Sequence, residues 1–127
     1  MPDLEQNKET VRAFYDLAFN LKKPEEAVGR YLGSTYTQHN PMAGDGPQPF
    51  IEFVNGFVGR FPELTVDIKR VIAEGDLVVT HSLMKTSHDD RGTAAADIFR
   101  LEDGKIVEHW DVLQPVPETA ANDNTMF

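Results

Sequence analysis

The first sixty residues carry apolar side chains at the three- and four-residue spacing of helices. The first row consists of Val11, Phe14, Tyr15, Ala18 and Leu21. It lies in a stretch without proline or glycine, which predicts one amphipathic helix over about residues 4–22. Pro24 suits a first helical position and Gly33 suits a C-terminal cap, so a second, short helix is predicted between them.

A third helix is indicated by a stripe that is almost wholly aromatic. Its members are Phe50, Phe53, Val54, Phe57 and Phe61. They recur at helical spacing, and Pro62 ends the pattern because proline cannot continue a helix. Between the second and third helices, "STYTQHNPMAGDGPQP" (34–49) predicts a short β-prone piece followed by a loop rich in glycine and proline.

Beyond Pro62 the period of the pattern falls to two. Leu64, Val66 and Ile68 alternate with polar residues, as in a half-buried strand, and residues 77–86, 93–101 and 105–113 predict three more strands. Three helices followed by this antiparallel meander predict an α+β fold, with a strongly curved sheet wrapped around the helices to form a cone with an internal cavity. We expect one domain over 1–127, with an extended C-terminal arm from about 115 to 127.

The candidate chemistry centres on "DIFRLEDGKIVEHWDV", which contains Asp97, His109 and Asp111. A two-residue turn at Asp103-Gly104 would place Asp97 opposite Trp110 and separate it from the other two. A three-residue loop over 102–104 would place Asp97 opposite His109, so that all three share one face. Glycine at the third loop position favours the second alternative and predicts an imidazole between two carboxylates.

Other polar residues are predicted near the same cavity. His81 shares a strand face with Val79 and Leu83, which indicates that it points inward. Alternation sends Gln38 and Asn40 to one side of the early strand and His39 to the other, and the pattern does not decide which side is the inner one. The residues expected to form core or cavity wall are Phe14, Tyr15, Phe53, Phe57 and Phe99.

Charge and composition narrow the classes of function. The net charge is −9 and the pI is about 4.7, so the chain would repel nucleic acid and anionic lipid. No run approaches the length of a membrane span, and the acidic N-terminus differs from a signal peptide, so we expect a cytoplasmic protein. The absence of cysteine excludes disulfides and thiolate chemistry.

The strings "YTQHNP" and "DIFRLEDGKIVEHWDV", together with the helix-first order, resemble the SnoaL-like branch of the nuclear transport factor 2-like superfamily. The resemblance covers roughly residues 8–118, and its closest match is the group described as SnoaL-like aldol-condensation catalysts. It implies an α+β cone, often a homodimer across the outer sheet face, whose apolar cavity serves polyketide cyclases, ketosteroid isomerases, dehydratases and epoxide hydrolases.

The resemblance also implies site residues. Asp97 fits the cavity aspartate that precedes "FR" in several of these enzymes, and His109 and Asp111 fall on the cavity face. Asn40 occupies the position of the general base in ketosteroid isomerases, which makes steroid isomerisation doubtful because asparagine does not accept a proton at neutral pH.

Two functions are therefore expected as alternatives. The first is a cofactor-free lyase, isomerase or cyclase in which Asp97, helped by His109, removes a C–H proton from a carbonyl compound, while His81 or Gln38 binds the enolate. The second is a noncatalytic module or accessory dimer that holds a small apolar ligand. An iron site built from His81, His109 and Asp97 is the least favoured alternative, because nothing in the spacing requires these residues to converge.

Overall fold

The computed structural model describes residues 2–127. Its helices are α1 (Leu4–Tyr15), a π-helical segment (Asp16–Asn20), α2 (Pro24–Tyr31) and α3 (Pro47–Arg60). Its strands are β1 (Leu32–Gln38), β2 (Thr65–Glu74), β3 (Leu77–Lys85), β4 (Thr93–Glu102) and β5 (Lys105–Pro115). The predicted α+β class is confirmed, with three helices against one five-stranded mixed sheet that does not close.

The first helix begins at a side-chain cap and ends against the sheet. The carboxylate of Asp3 accepts a hydrogen bond from the backbone N–H of Gln6 at 3.0 Å, which satisfies one of the free donors of the first turn. The helix is α-helical only to Tyr15 and then widens into the π-helical segment, so the single helix predicted over 4–22 is partly wrong. Asn20 closes that segment through two hydrogen bonds to the backbone of Val66 in β2.

The sheet has the order β1-β5-β4-β3-β2. Strands β2 to β5 form the predicted antiparallel meander, and the short early strand is added to it by parallel pairing of β1 with β5. Three aromatic residues, Phe14, Phe50 and Phe99, are among the buried side chains between the helices and the sheet. Among residues 2–127 no helix is both long and apolar enough to cross a bilayer.

The β4–β5 hairpin differs from the expected one in two ways that cancel. Asp103 and Gly104 both have positive φ, +50° and +78°, and Glu102 pairs with Lys105, so the loop has two residues and the predicted three-residue loop is wrong. The ladder is then interrupted, because Leu101 pairs with Ile106 whereas Arg100 pairs with Glu108. Val107 is the extra residue of a β-bulge.

The bulge sets which side chains face inward. Beyond it Phe99 pairs with His109 and Asp97 pairs with Asp111, so the predicted pairing of Asp97 with His109 is wrong. Since the ladder has shifted by one residue, His109 nonetheless shares the inner face with both carboxylates. Trp110 takes the outer face, where its ring stacks on that of His39 at 4.7 Å.

Gly33 lies in β1, opposite this bulge, and not at the end of α2, which stops at Tyr31. The prediction that Gly33 caps the second helix is therefore wrong. A Cβ atom at this position would lie 2.8 Å from Cγ1 of Val107, closer than carbon atoms pack. Glycine is required here because the strand must approach the extra residue of β5.

We predict that Gly33→Ala destabilises the protein by about 1–3 kcal/mol, since the added methyl group overpacks this contact. Val107→Ala should relieve much of that cost in the double variant. Urea denaturation of the wild type, the two single variants and the double variant measures the coupling between the two residues. Strictly additive changes would contradict the proposed contact, and Gly29→Ala on α2, with no atom near its added Cβ, is the control.

Candidate functional site

A partly open cavity of about 520 Å³ lies on the inner face of the sheet. Its walls are mostly apolar and include five phenylalanines, Phe19, Phe50, Phe53, Phe57 and Phe61. Polar side chains also line it, and hydrogen bonds connect them: Tyr15, Gln38, Asn40, Asp97, His109 and Asp111. The cavity therefore combines an apolar body with a hydrogen-bonded polar cluster at one end, which is called its polar end below.

Asp97, His109 and Tyr15 form a closed triangle of hydrogen bonds at this polar end. The hydroxyl of Tyr15 donates to Oδ1 of Asp97 at 2.7 Å. Nε2 of His109 lies 2.7 Å from the same oxygen and 3.1 Å from the Tyr15 hydroxyl. Asp97 and His109 are 2% and 3% exposed, so this pair is almost completely removed from solvent.

Gln38 determines which nitrogen of His109 carries a proton. The backbone N–H of Asn40 donates to Oε1 of Gln38 at 3.0 Å, which identifies that atom as the amide oxygen. Nδ1 of His109 lies 2.7 Å from the same oxygen. Because a carbonyl oxygen only accepts, Nδ1 must be protonated and donate to Gln38.

The remaining proton of the pair lies between Nε2 of His109 and Oδ1 of Asp97. At 2.7 Å the two atoms need one proton between them, either as imidazolium and carboxylate or as imidazole and carboxylic acid. Every hydrogen bond of Asp97's side chain to another group within residues 2–127 uses Oδ1. Oδ2 is therefore the oxygen that remains available to a molecule in the cavity.

Asp111 is the second carboxylate of the site and is held by Asn40. Nδ2 of Asn40 lies 3.0 Å from each oxygen of Asp111, and Oδ1 of Asn40 accepts from the backbone N–H of Met42, which orients the amide. Oδ2 of Asp111 is 3.9 Å from Nε2 of His109. The imidazole thus lies between two carboxylates, as the sequence predicts.

Both tyrosines of the site remain protonated. Burial raises the pKa of Tyr15 well above its usual value near 10, and the adjacent charge of Asp97 raises it further. Burial also raises the pKa of Tyr36, whose hydroxyl receives a 3.4 Å hydrogen bond from Nε2 of Gln38. Tyr15 is therefore a fixed hydrogen-bond donor to Asp97 over the physiological pH range.

The aromatic residues predicted as wall or core divide into two groups. Tyr15, Phe53 and Phe57 line the cavity, whereas Phe14 and Phe99 are fully buried behind it. The sequence pattern identified Tyr15 only as an apolar wall residue and missed its hydroxyl. The signal that could have found it is a tyrosine, rather than a phenylalanine, on the buried stripe of α1, because a buried hydroxyl needs a partner.

His81 does not point into the cavity, so the prediction that it lies on the inner face is wrong. The inward side chains of β3 are Val78, Thr80 and Ser82. His81 lies on the outer face, where it contacts the guanidinium of Arg70 and the ring of Phe127. Its position on the outer face removes it from the catalytic set and from the iron site considered with Asp97 and His109.

His39 also lies outside the cavity, between Gln38 and Asn40, which line it. Its Nε2 lies 2.7 Å from Glu108, and its ring stacks on Trp110. The structure thus decides which of the two alternating sides of this segment faces the cavity. Gln38 and Asn40 face inward, whereas His39 lies on the outer face and contacts Glu108 and Trp110 of β5.

One donor set in the described chain has a composition suited to a cation. Ligand atoms of Asp97, His109 and Asp111 lie within 4.8 Å of one another. Two of the possible ligand atoms, Nε2 of His109 and Oδ1 of Asp97, are already joined by a hydrogen bond. A cation bound by both atoms would have to replace the proton between them.

Residues 11–109 match the family model of the SnoaL-like domain. The chain belongs to the SnoaL-like domain family. This assignment confirms the family indicated by the sequence, within the nuclear transport factor 2-like superfamily. No curated protein matches the chain.

Solved structures share the SnoaL-like fold at low sequence identity. TsrD from Streptomyces laurentii superposes with a TM-score of 0.75 and 19% identity, over 89% of this chain and 91% of that chain. A candidate polyketide cyclase from Acidithiobacillus ferrooxidans has a TM-score of 0.73 and 22% identity over the same shares. A candidate SnoaL-like polyketide cyclase from Jannaschia has a TM-score of 0.72 and 22% identity, over 89% of this chain and 88% of that chain. At these identities the similarity establishes the fold.

The raised pKa of Tyr15 predicts a loss of stability in alkali. In the unfolded chain tyrosine ionises near pH 10, whereas the folded protein resists ionisation of Tyr15. Its stabilising contribution is therefore complete below about pH 10 and is lost as the pH rises above that value. Tyr15→Phe should cost about 1–3 kcal/mol at pH 7, because it removes a buried hydrogen bond to Asp97, but should lose less stability than the wild type between pH 8 and 10.5.

Urea denaturation of the wild type and of Tyr15→Phe at about pH 7, 8 and 10.5 measures this difference in alkaline loss of stability. Tyr31→Phe on α2 is the matched control, because it removes a phenol hydroxyl that makes no hydrogen bond within residues 2–127. An equal alkaline loss in the wild type and in Tyr15→Phe would contradict the role assigned to the Tyr15 hydroxyl.

Proposed function

We propose that this SnoaL-like protein is a small acid–base enzyme of the cyclase, lyase or isomerase type, acting without a cofactor on a carbonyl compound. The observation that supports it is the asymmetry of Asp97. One carboxylate oxygen is held by Tyr15 and His109, while the other makes no hydrogen bond within residues 2–127 and belongs to a residue that lines an aromatic cavity. A general base needs this combination of fixed position and available lone pair.

The proposed step is removal of a proton from carbon. Oδ2 of Asp97 accepts a proton from the carbon next to the substrate carbonyl, and the electron pair of the broken C–H bond moves into the C–O unit to form an enolate. Tyr15 and His109 keep the carboxylate in place through Oδ1. A substrate that fills the apolar cavity displaces water from it, which strengthens each of these electrostatic contacts.

The enolate oxygen needs a hydrogen-bond donor, and the polar end of the cavity supplies the amide of Gln38. Nε2 of Gln38 makes only a long hydrogen bond of 3.4 Å within the described residues, whereas Nδ2 of Asn40 is bonded to both oxygens of Asp111. We assign Nε2 of Gln38 to the enolate oxygen in place of His81. In an aldol cyclisation the enolate carbon then attacks a second carbonyl group, whose C–O π electrons move to its oxygen, and that oxygen takes the proton from Asp97. In an isomerisation the enolate instead takes the proton back from Asp97 at another carbon.

The substrate class follows from the cavity and from the neighbours. A largely apolar space of about 520 Å³ with several phenylalanines suits an apolar organic molecule of one or two rings. Two of the structurally similar proteins are candidate polyketide cyclases. We therefore assign a polyketide-like compound or another ketone with an activated C–H bond as the substrate. Steroid isomerisation is disfavoured, because Asn40 is an amide that binds Asp111.

Exchange of hydrogen for deuterium tests the proposed step without knowledge of the natural substrate. The wild-type protein should accelerate exchange of the acidic C–H positions of 2-tetralone, a bicyclic aromatic ketone, in D₂O, as followed by NMR. Asp97→Asn should reduce the protein-dependent rate by about 10² or more, since the amide does not accept the proton.

Asp89→Asn is the matched control, because it makes the same chemical change on an exposed turn outside the cavity. Equal exchange rates in the wild type and Asp97→Asn, with both proteins folded, would contradict the proposed role of Asp97.

A noncatalytic ligand-binding module is the second candidate. The observation that favours it is the mostly apolar lining, which can hold an apolar molecule without any chemistry at the polar end. The two candidates differ in the exchange experiment. A binding module would retain 2-tetralone and leave its exchange rate at the value of buffer alone.

We also propose that two copies associate through the outer face of the sheet, in the cytoplasm. Three apolar side chains project from that face into solvent: Ile72, Ile98 and Val112, which are 60%, 36% and 75% exposed. An exposed apolar patch of this kind is typical of a subunit interface.

Light scattering of the purified wild type at micromolar concentration should therefore give the mass of a dimer. Val112→Asp should shift it to the mass of one chain, because each copy would bury a charge without a partner. Met42→Asp, at an equally exposed residue (76%) on the loop beside the cavity, is the control. A wild-type monomer, or a dimer that survives Val112→Asp, would contradict the interface.

A further inference from the structure

Arg60 is the one arginine or lysine among the described residues that line the cavity. It occupies the last position of α3, and its guanidinium carbon lies 5.2 Å from the centre of the Phe61 ring. Stacking on an aromatic ring limits the positions of a long side chain and leaves the N–H donors of the guanidinium free. Arg60 is thus held at the cavity by contacts that do not use its hydrogen-bonding capacity.

No carboxylate neutralises Arg60 within residues 2–127. The side chain makes no ion pair there, although the chain has 21 acidic residues and only 12 basic ones. Glu52, the acidic residue of α3 that also lines the cavity, precedes Arg60 by eight residues, or about 12 Å along the helix axis. The guanidinium is therefore available to an anionic group that enters from outside.

The other end of the cavity has the opposite charge. Asp97 and Asp111 pair directly across β4 and β5, and only one imidazole lies between them. An anionic group placed there would be repelled, whereas the same group beside Arg60 would be attracted. A ligand with one negative charge would therefore bind in a single orientation.

The length of α3 gives the separation of the two ends. Phe50 marks the polar end, because its ring lies 6.0 Å from that of Tyr36, which in turn stacks on His109 at 6.5 Å. Arg60 follows ten residues later, which corresponds to about 15 Å along the helix. A ligand that reaches both ends is thus on the order of 10–15 Å long.

We propose that Arg60 binds the carboxylate of an amphipathic keto acid, whose carbonyl group reaches Asp97 at the opposite end. This inference rests on the proposed function and specifies its substrate class. The substrate has an apolar, ring-sized middle, a ketone with an acidic C–H bond at one end and a carboxylate at the other. Arg60 then sets the orientation of the substrate and so selects the carbon that Asp97 deprotonates.

A matched pair of ligands tests the proposal. The probes are 2-tetralone-6-carboxylate and its methyl ester, which share one ring system and one ketone and differ in charge. The wild type should bind the acid about tenfold more tightly than the ester, as measured by titration calorimetry, since a hydrogen-bonded ion pair contributes about this factor. The preference should fall in 0.5 M NaCl, because the pair is partly exposed.

Variants of the arginine separate its charge from its shape. In Arg60→Gln the ratio of the two affinities should fall to about 1, and in Arg60→Lys it should take an intermediate value, because lysine keeps the charge but not the two-pronged geometry. Arg12→Gln, at an exposed arginine of α1 outside the cavity, should keep the tenfold ratio.

The outcomes distinguish this inference from the proposed function. An unchanged ratio in Arg60→Gln, or equal binding of acid and ester by the wild type, overturns the role of Arg60 even if 2-tetralone exchange is catalysed. A preference that depends on Arg60 supports the carboxylate site even if neither probe exchanges its C–H hydrogens, and in that case only the catalytic proposal fails. Absence of binding by both probes overturns the keto-acid assignment.

Discussion

Side chains alternate between the faces of a β-ladder with a period of two, so one inserted residue exchanges the inner and outer faces of everything beyond it. In β5 that residue is Val107. Without the bulge, the two-residue turn at Asp103 and Gly104 would direct His109 outward and leave Asp97 alone in the cavity. The bulge is accommodated by Gly33 in the neighbouring strand, so that a glycine in β1 and an extra residue in β5 together place the imidazole beside the carboxylate.

The polar end of the cavity is stable because nearly every group in it has a partner. Tyr15, His109 and Gln38 form a continuous chain of hydrogen bonds to Oδ1 of Asp97, and Asn40 holds Asp111. Such a network fixes its members because breaking any bond leaves a buried polar group unsatisfied. Both hydrogen bonds that the network makes to Asp97 use Oδ1, so Oδ2 stays available. The proposed chemistry depends on that free oxygen.

The sequence pattern was reliable for the elements and the family, and less so where two patterns competed. The stripe of phenylalanines predicted α3 and the alternation after Pro62 predicted the meander, because burial on one face dominates both. His81 was misplaced because β3 carries apolar Val79 and Leu83 on its outer face and the hydroxyls of Thr80 and Ser82 on its inner face. The two inner hydroxyls make no hydrogen bond within residues 2–127. A pattern of polar and apolar residues assigns Thr and Ser to the exposed face, so it could not identify them as buried. The predicted length of the hairpin loop was wrong because Asp-Gly is compatible with either turn, and the bulge went unpredicted because it has no composition signal of its own.

The most direct measurement of the central claim is the protonation of the His109 ring, read by ¹⁵N NMR of the histidine side chains near neutral pH. The account predicts a protonated Nδ1 that donates to Gln38, and an Nε2 whose signal changes in Asp97→Asn because the two share a proton. A His109 ring with a bare Nδ1, or with an Nε2 signal unaffected by Asp97→Asn, would contradict it.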